Sequence, residues 1–260
     1  RNLDLQNTLS LGYESGFLLY CYLLSRLFQD PQAIIFATST IINFIIFLQI
    51  YKRSRMPWLS VLLYFTLLYY FNFMNLMRFG IASSILFVSV DYLKDGKPIK
   101  FIILVLIASS FHISSIIFLF VYPLRTIKIT RISLMIIIFL LALLSQLIGL
   151  VTIIIPQIWP RYISYLEAFN RFQGNLANYI NAAVNTVLFL FAIRYDKKNI
   201  KTGNIDILLL AIATGISILA IKVMILTRYS ILFSIVAITY LPNILSEIKS
   251  DAKVIYTYLV

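Results

Sequence analysis

Residues 101–124 form a run of 24 nearly continuous apolar residues, which is long enough to cross a lipid bilayer. The centre of this run carries four serines and His112, the only histidine of the chain. An ionisable side chain at membrane depth costs about 2.5–3.5 kcal/mol on insertion scales and usually marks a functional position. Further apolar runs precede and follow it. The chain is therefore predicted to be an integral membrane protein with a polar centre in this segment.

The composition supports a helical membrane fold. Hydrophobic residues make up 61% of the chain and charged residues 12%, against roughly 45–50% and 25% in soluble domains. We expect an all-α, polytopic helical membrane protein with about seven full spans and short re-entrant segments at 14–28 and 101–124, and a GT-C-like arrangement is one option. Residues 1–260 are predicted to form a single transmembrane domain, with 156–176 as an external loop. Because the chain starts at Arg1, an N-terminal span is expected to be missing.

The charge pattern narrows the function classes. The chain has 22 Lys and Arg against 10 Asp and Glu, a net charge of +12. Most basic residues fall in short loops between apolar runs, as in cytoplasmic loops, so nucleic acid is not a predicted partner. The single cysteine excludes an internal disulfide, and one histidine with few acids predicts neither a metal site nor a cofactor.

The same pattern bears on topology. If the basic loops at 52–55 and 94–100 are cytoplasmic and residues 101–124 cross once, the basic loops at 125–131 and 194–201 face outside, against the positive-inside tendency. A hairpin that dips in and returns makes all four loops cytoplasmic. Each arm would then reach the bilayer midplane, with His112 at the tip and far from an outer-face phosphate. The alternative is one straight span whose histidine bonds a neighbouring helix.

In the hairpin topology, basic side chains gather at the outer ends of spans, where they need an anionic partner. A lipid diphosphate is the natural candidate, because a guanidinium holds phosphate oxygens through two parallel hydrogen bonds. The candidate diphosphate-binding residues are Arg78, Arg161, Arg171, Lys222 and Arg228. Contacts of the arginines with lipid headgroups and snorkelling of the lysine are the alternatives.

Polar and aromatic side chains near these cations are candidates for contacting sugar rings. They are Tyr13, Asn75, Tyr162 and Tyr165, with Tyr179 nearby. Each tyrosine is equally explained by the aromatic belt at a membrane interface.

Five segments together resemble the EpsG family of bacterial polysaccharide polymerases, which are Wzy-type enzymes of exopolysaccharide, capsule and O-antigen synthesis. The segments are YESGF (13–17), NLMRFGIASSILF (75–87), FIILVLIASSFHISSIIF (101–118), RYISYL (161–166) and LTRYSILFSIVAITYLP (226–242). Their order and spacing fit across nearly the whole chain. One departure is Phe79 directly after Arg78, where the family commonly has glutamine.

The resemblance implies a metal-independent glycosyltransferase of the bacterial plasma membrane that joins oligosaccharide repeat units carried on undecaprenyl diphosphate, beside other polysaccharide assembly proteins. It places recurrent polar sites of the family at Tyr13, Glu14, Arg78, His112, Arg161 and Arg228. Glu14 or His112 is the candidate catalytic base, and His112 is equally expected only to orient the hairpin. A flippase of lipid-linked oligosaccharide, an O-antigen ligase and a membrane O-acyltransferase are the competing functions.

Overall fold

The computed structural model describes residues 14–28, 30, 32–125, 130, 132, 135–145, 176–196, 205–224 and 226–259. These residues are helical, with no strand among them, so the predicted all-α class is confirmed. The chain divides into two compact units, Arg1–Arg125 and Thr126–Val260, which we describe separately. The single transmembrane domain expected from the sequence stays a prediction.

The first unit is built around a central, largely buried helix. Its helices are α1 (Ser15–Leu27), α2 (Gln32–Arg53), α3 (Pro57–Thr66), α4 (Tyr69–Asn75), α5 (Met77–Lys94), α6 (Pro98–Phe111), a 3-10 helix (Ile113–Phe120) and α7 (Val121–Leu124). Eleven of the 18 residues of α5 are buried, and α5 packs against α2 and α6. Gly80 lets α5 approach α2 closely, as small residues commonly do in membrane proteins, because an added Cβ there would lie 2.8 Å from Cδ1 of Ile42.

Local sequence signals explain several helix ends. Asp30 caps α2, because its carboxylate accepts the backbone N–H of Gln32 at 2.9 Å. Pro57 and Pro98 occupy the first turns of α3 and α6, where a missing N–H costs nothing. Gly96 follows the end of α5 with a φ of 70°, the left-handed conformation that glycine adopts without strain.

Residues 101–124 reverse direction at His112, as the hairpin prediction requires. The ring of Phe101, near the start of the first arm, lies 6.1 Å from the ring of Phe118 and 5.7 Å from that of Tyr122 in the second arm. In a straight helix, positions 101 and 122 would be about 30 Å apart. The guanidinium of Arg125 also lies directly against Gly96. The two ends of the hairpin are therefore neighbours.

The second unit has its own buried helix. Its elements are α8 (Met135–Ser145), α9 (Leu176–Tyr195), α10 (Ile205–Ala220), α11 (Leu226–Ser234) and α12 (Ala237–Leu259). Twelve of the 16 residues of α10 are buried, and α10 contacts both α9 and α11. Outward positions of α8 and α9, such as Phe139 and Val187, are 63% exposed and apolar, which suits a lipid environment.

Among the described residues, two helices are long and apolar enough to cross a membrane, and up to four spans result if each bent helix pair counts as one. The predicted count of about seven spans is not confirmed. One reason is that residues 57–73, expected as one segment, bend by 54° between α3 and α4. Leu68 sits at this break with a φ of 63°, which is unusual for a residue other than glycine. Similarly, α11 and α12 bend by 40°.

Candidate active site

The tip of the hairpin is a break in helical structure centred on His112. The helix α6 ends at Phe111, and the backbone of His112 is extended, with φ −152° and ψ 106°. The 3-10 helix then starts, and the N–H of Ser115 donates to the carbonyl of His112 at 2.9 Å. At this break the imidazole lies close to two other segments, at Glu14 before α1 and at Phe79 of α5.

Glu14 binds this tip to the start of α5. Its Oε2 accepts a hydrogen bond from Nη1 of Arg78 at 2.5 Å, and its Oε1 lies 3.5 Å from Nδ1 of His112. The same Oε1 accepts the backbone N–H of Ile113 at 3.4 Å. One carboxylate therefore connects the residue before α1 to α5, 64 positions further along the chain, and to the hairpin tip, 99 positions further along.

Aromatic rings and a close backbone contact surround this cluster. The ring of Phe79 meets the imidazole of His112 edge-on at 5.6 Å, and the guanidinium of Arg78 lies 5.8 Å from the ring of Phe17. At Gly16, an added Cβ would lie 2.7 Å from the carbonyl oxygen of Ser110. Glycine is required there, because the start of α1 is pressed against the end of α6.

The electrostatics favour an ionised carboxylate at Glu14. Burial alone raises the pKa of Glu14, but hydrogen bonds from the backbone, from Arg78 and from Ile113, with the charge of Arg78, outweigh burial and lower the pKa. A carboxylate with a lowered pKa is a poor proton acceptor. Glu14 is therefore better suited to hold its neighbours in place than to act as a base.

The three side chains differ in exposure. The side chain of Arg78 is 37% exposed, that of Glu14 17% and that of His112 13%, and the Nε2 atom of His112 is buried. Arg78 is thus the member of the cluster that a ligand meets first. Arg78 was expected at the outer rim of the bilayer and His112 at its midplane, but both contact Glu14. The expected separation in depth therefore does not hold.

The remaining predicted site residues are distributed differently. Asn75 ends α4 and is exposed. In the second unit, Lys222 lies in the turn after α10, and Arg228 is exposed in the first turn of α11. Tyr13, Arg161, Tyr162, Tyr165 and Arg171 lie outside the described residues.

Sequence reasoning missed two polar features. In the first unit, Arg53 pairs with Asp91 at 3.2 Å and lies 4.8 Å from the ring of Phe87. In the second unit, α9 carries Asn178, Asn181 and Asn185 in an otherwise largely apolar helix. The signal was visible in the segment NYINAAVN, because spacings of three and four place all three amides on one helix face.

The described residues are those of an all-helical membrane protein whose first unit carries a charged cluster at the tip of a hairpin. The chain belongs to the EpsG family, whose sequence profile matches residues 2–260, so the predicted family is confirmed. This membership is consistent with a polysaccharide polymerase role. No curated protein and no solved structure matches the chain. Within the described residues, no three His, Cys, Asp or Glu side chains are grouped so as to hold a metal ion.

Proposed function

We propose that this protein is a membrane glycosyltransferase that polymerises oligosaccharide repeat units carried on undecaprenyl diphosphate at the outer face of the bacterial plasma membrane. The observation that carries the proposal is the bridging position of Glu14 between Arg78 and His112. The three residues supply a cation for an anionic leaving group, a basic side chain and a group that orients both. Family membership is consistent with the same reaction class.

In the proposed reaction, a hydroxyl of the incoming repeat unit loses its proton to His112, and its oxygen attacks the anomeric carbon of the growing chain. The bond from that carbon to the diphosphate breaks, and its electron pair leaves with undecaprenyl diphosphate. Arg78 stabilises the charge that develops on the diphosphate, as preorganised cations do in acyl and phosphoryl transfer. No metal ion is needed for this role.

Glu14 acts as the positioning residue. A carboxylate near Nδ1 of a histidine favours the tautomer with the proton on that nitrogen, which leaves Nε2 as the basic atom. Since Nε2 of His112 is buried, the hairpin tip must shift when substrate binds so that this atom reaches the hydroxyl. Lys222 and Arg228, with the predicted residues outside the described ranges, remain candidates for further contacts with the diphosphate and sugars.

The test replaces Arg78 with alanine and measures polymer length together with the lipid-linked single repeat units. Removing one preorganised charge stabiliser costs about 10²–10³ in rate, so we expect short polymer and accumulated single units. Arg26→Ala is the matched control, because Arg26 is exposed at the end of α1 and donates to the hydroxyl of Tyr22. Normal polymer from the Arg78 variant would refute its role. Repeat units trapped on the cytoplasmic side would favour the flippase.

A further inference from the structure

The second unit contains a row of amides along one face of α9. Asn178, Asn181 and Asn185 follow each other at spacings of three and four residues, so they lie on the same side of the helix. Asn178 and Asn185 are both only 4% exposed. Amides in an apolar helix are costly unless they find hydrogen-bond partners, so the partners of each indicate its role.

Asn185 is fully engaged in joining helices. Its Nδ2 donates to the carbonyl and to the side-chain oxygen of Asn181 at 2.9 and 3.0 Å, and reaches the hydroxyl of Ser230 on α11 at 3.4 Å. The hydroxyl of Thr214 on α10 donates to the carbonyl of Asn185 at 3.1 Å. The contacts with Ser230 and Thr214 are polar links between helices of the kind that stabilise membrane bundles, whereas those with Asn181 lie within α9. Asn185 therefore has a structural role.

The other two amides have satisfied oxygens and unsatisfied nitrogens. The Oδ1 of Asn178 accepts from the hydroxyl of Thr227 at 3.2 Å, and the Oδ1 of Asn181 accepts from Asn185. The Nδ2 atoms of both residues are buried and have no acceptor within the described part of the chain. The two Nδ2 donors lie on adjacent turns of α9, and each lacks a hydrogen-bond acceptor among the described residues. A ligand that offers hydrogen-bond acceptors would supply it.

The position of these donors within the second unit is also informative. Thr227, whose hydroxyl donates to Oδ1 of Asn178, directly precedes Arg228 at the start of α11. The other end of α9 is marked by Asp196, which accepts a hydrogen bond from the buried hydroxyl of Tyr240. The two donors therefore lie at the end of the unit that carries Arg228.

We propose that Asn178 and Asn181 form a binding site for sugar oxygens, in which both amide groups donate to hydroxyl or ring oxygens of the acceptor repeat unit. This inference rests on the proposed function and names where the second substrate is held. A sugar fits better than a phosphate, because the donors and the neighbouring Thr227 are neutral, and phosphate groups favour cationic donors. Arg228 is the adjacent group that suits a phosphate.

The experiment compares Asn178→Leu, Asn181→Leu and the double variant with the wild-type protein in detergent. Two probes are used: the repeat-unit oligosaccharide released by mild acid from the lipid-linked pool, and sugar-free undecaprenyl diphosphate. Each lost hydrogen bond to a ligand is worth about tenfold in affinity, so the double variant is expected to bind the oligosaccharide at least tenfold more weakly. Its affinity for undecaprenyl diphosphate should stay unchanged.

Asn43→Leu in the first unit is the matched control, because its amide is satisfied by Ser39 and Tyr64. Leucine removes the unsatisfied Nδ2 donors of Asn178 and Asn181 together with the oxygens that accept from Thr227 and Asn185, so these variants and Asn43→Leu should all unfold somewhat below the wild-type temperature. Asn43→Leu should keep its oligosaccharide affinity, and an equal loss of binding in Asn43→Leu would show that reduced stability weakens binding and would overturn the site.

Three binding results would also overturn it: unchanged oligosaccharide affinity, weaker binding of undecaprenyl diphosphate alone, or no oligosaccharide binding by the wild type. The proposed function fails separately. If the α9 variants no longer bind the oligosaccharide while Arg78→Ala makes normal polymer, the sugar-binding site is supported and the proposed role of the charged cluster is refuted.

Discussion

The hairpin tip of the first unit and the amide row of the second unit treat polar groups in opposite ways. At the tip, the charges of Glu14 and Arg78 are paired with each other. In the amide row, the groups are neutral, and the donors of Asn178 and Asn181 are left without acceptors among the described residues. A charge in apolar surroundings must be paired for the fold to persist, whereas an amide can be left unsatisfied at a smaller cost. The first arrangement suits chemistry on charged groups and the second suits recognition.

The strongest test of this contrast removes the bridging carboxylate. Glu14→Leu leaves Arg78 beside apolar rings and His112 without its orienting group. We expect a loss of about 1–3 kcal/mol in the free energy of unfolding and of at least about 100-fold in polymer formation. Thermal unfolding in detergent and polymer yield in cells measure the two effects.

The double variant Glu14→Leu/Arg78→Leu separates structure from function. Replacing both members of an ion pair by apolar residues is often neutral for stability even when the pair is buried, and this pair is only partly buried, so the double variant should regain most of the lost stability. It should still make no polymer. If polymer returns together with stability, the cluster is only a structural link, and the contrast between the two units disappears.

A smaller effect on polymer formation is expected from changing two glycines that differ in what they contact. At Gly16 an added Cβ would press on the backbone oxygen of Ser110 at 2.7 Å, which cannot move without shifting the hairpin tip. At Gly215 the nearest atom is Cδ1 of Leu141, the mobile end of a side chain. Gly16→Ala should therefore cost about 1–3 kcal/mol, and Gly215→Ala clearly less.

The two glycine variants should also differ in polymer formation. The contact at Gly16 is next to Glu14, so Gly16→Ala should also reduce polymer. Gly215→Ala should leave polymer formation near normal. Equal losses of stability and of polymer in both variants would show that the hairpin tip has no special rigidity.

The sequence predicted the cluster better than the spans. The single histidine in an apolar run and the basic loops on both sides were enough to predict the reversal at His112. The charge pattern indicated Arg78 and the resemblance added Glu14, whose carboxylate contacts both Arg78 and that histidine in the structure. The predicted number of spans is not confirmed, and the apolar run at 57–73 bends at Leu68, whose backbone turns without the glycine or proline that usually signals a turn.

The amide row was missed for a different reason. Its residues are uncharged, and hydropathy averaged over a window hides three amides among apolar neighbours. Which amide is structural and which has an unsatisfied donor depends on partners from α10 and α11, such as Thr214 and Thr227. Such contacts between segments distant in sequence cannot be predicted from the spacing of residues within one helix.

The smallest expected effect is a pH dependence confined to the charged cluster. The pKa of Glu14 is lowered from its ordinary value of 4.5, so the folded state holds the carboxylate ionised more strongly than the unfolded chain does. Its contribution to stability is therefore fully present above pH 4.5 and is lost as the pH falls through the lowered folded-state value. The unfolding temperature of the wild type in detergent should drop in that acidic range.

Glu14→Gln should lack this part of the drop in unfolding temperature, since its amide does not titrate. Asn178→Leu, in the uncharged row, should keep it. An acid profile of Glu14→Gln identical to that of the wild type would mean that the ion pair with Arg78 contributes nothing to the folded state, and that the two units do not differ in how they use charge.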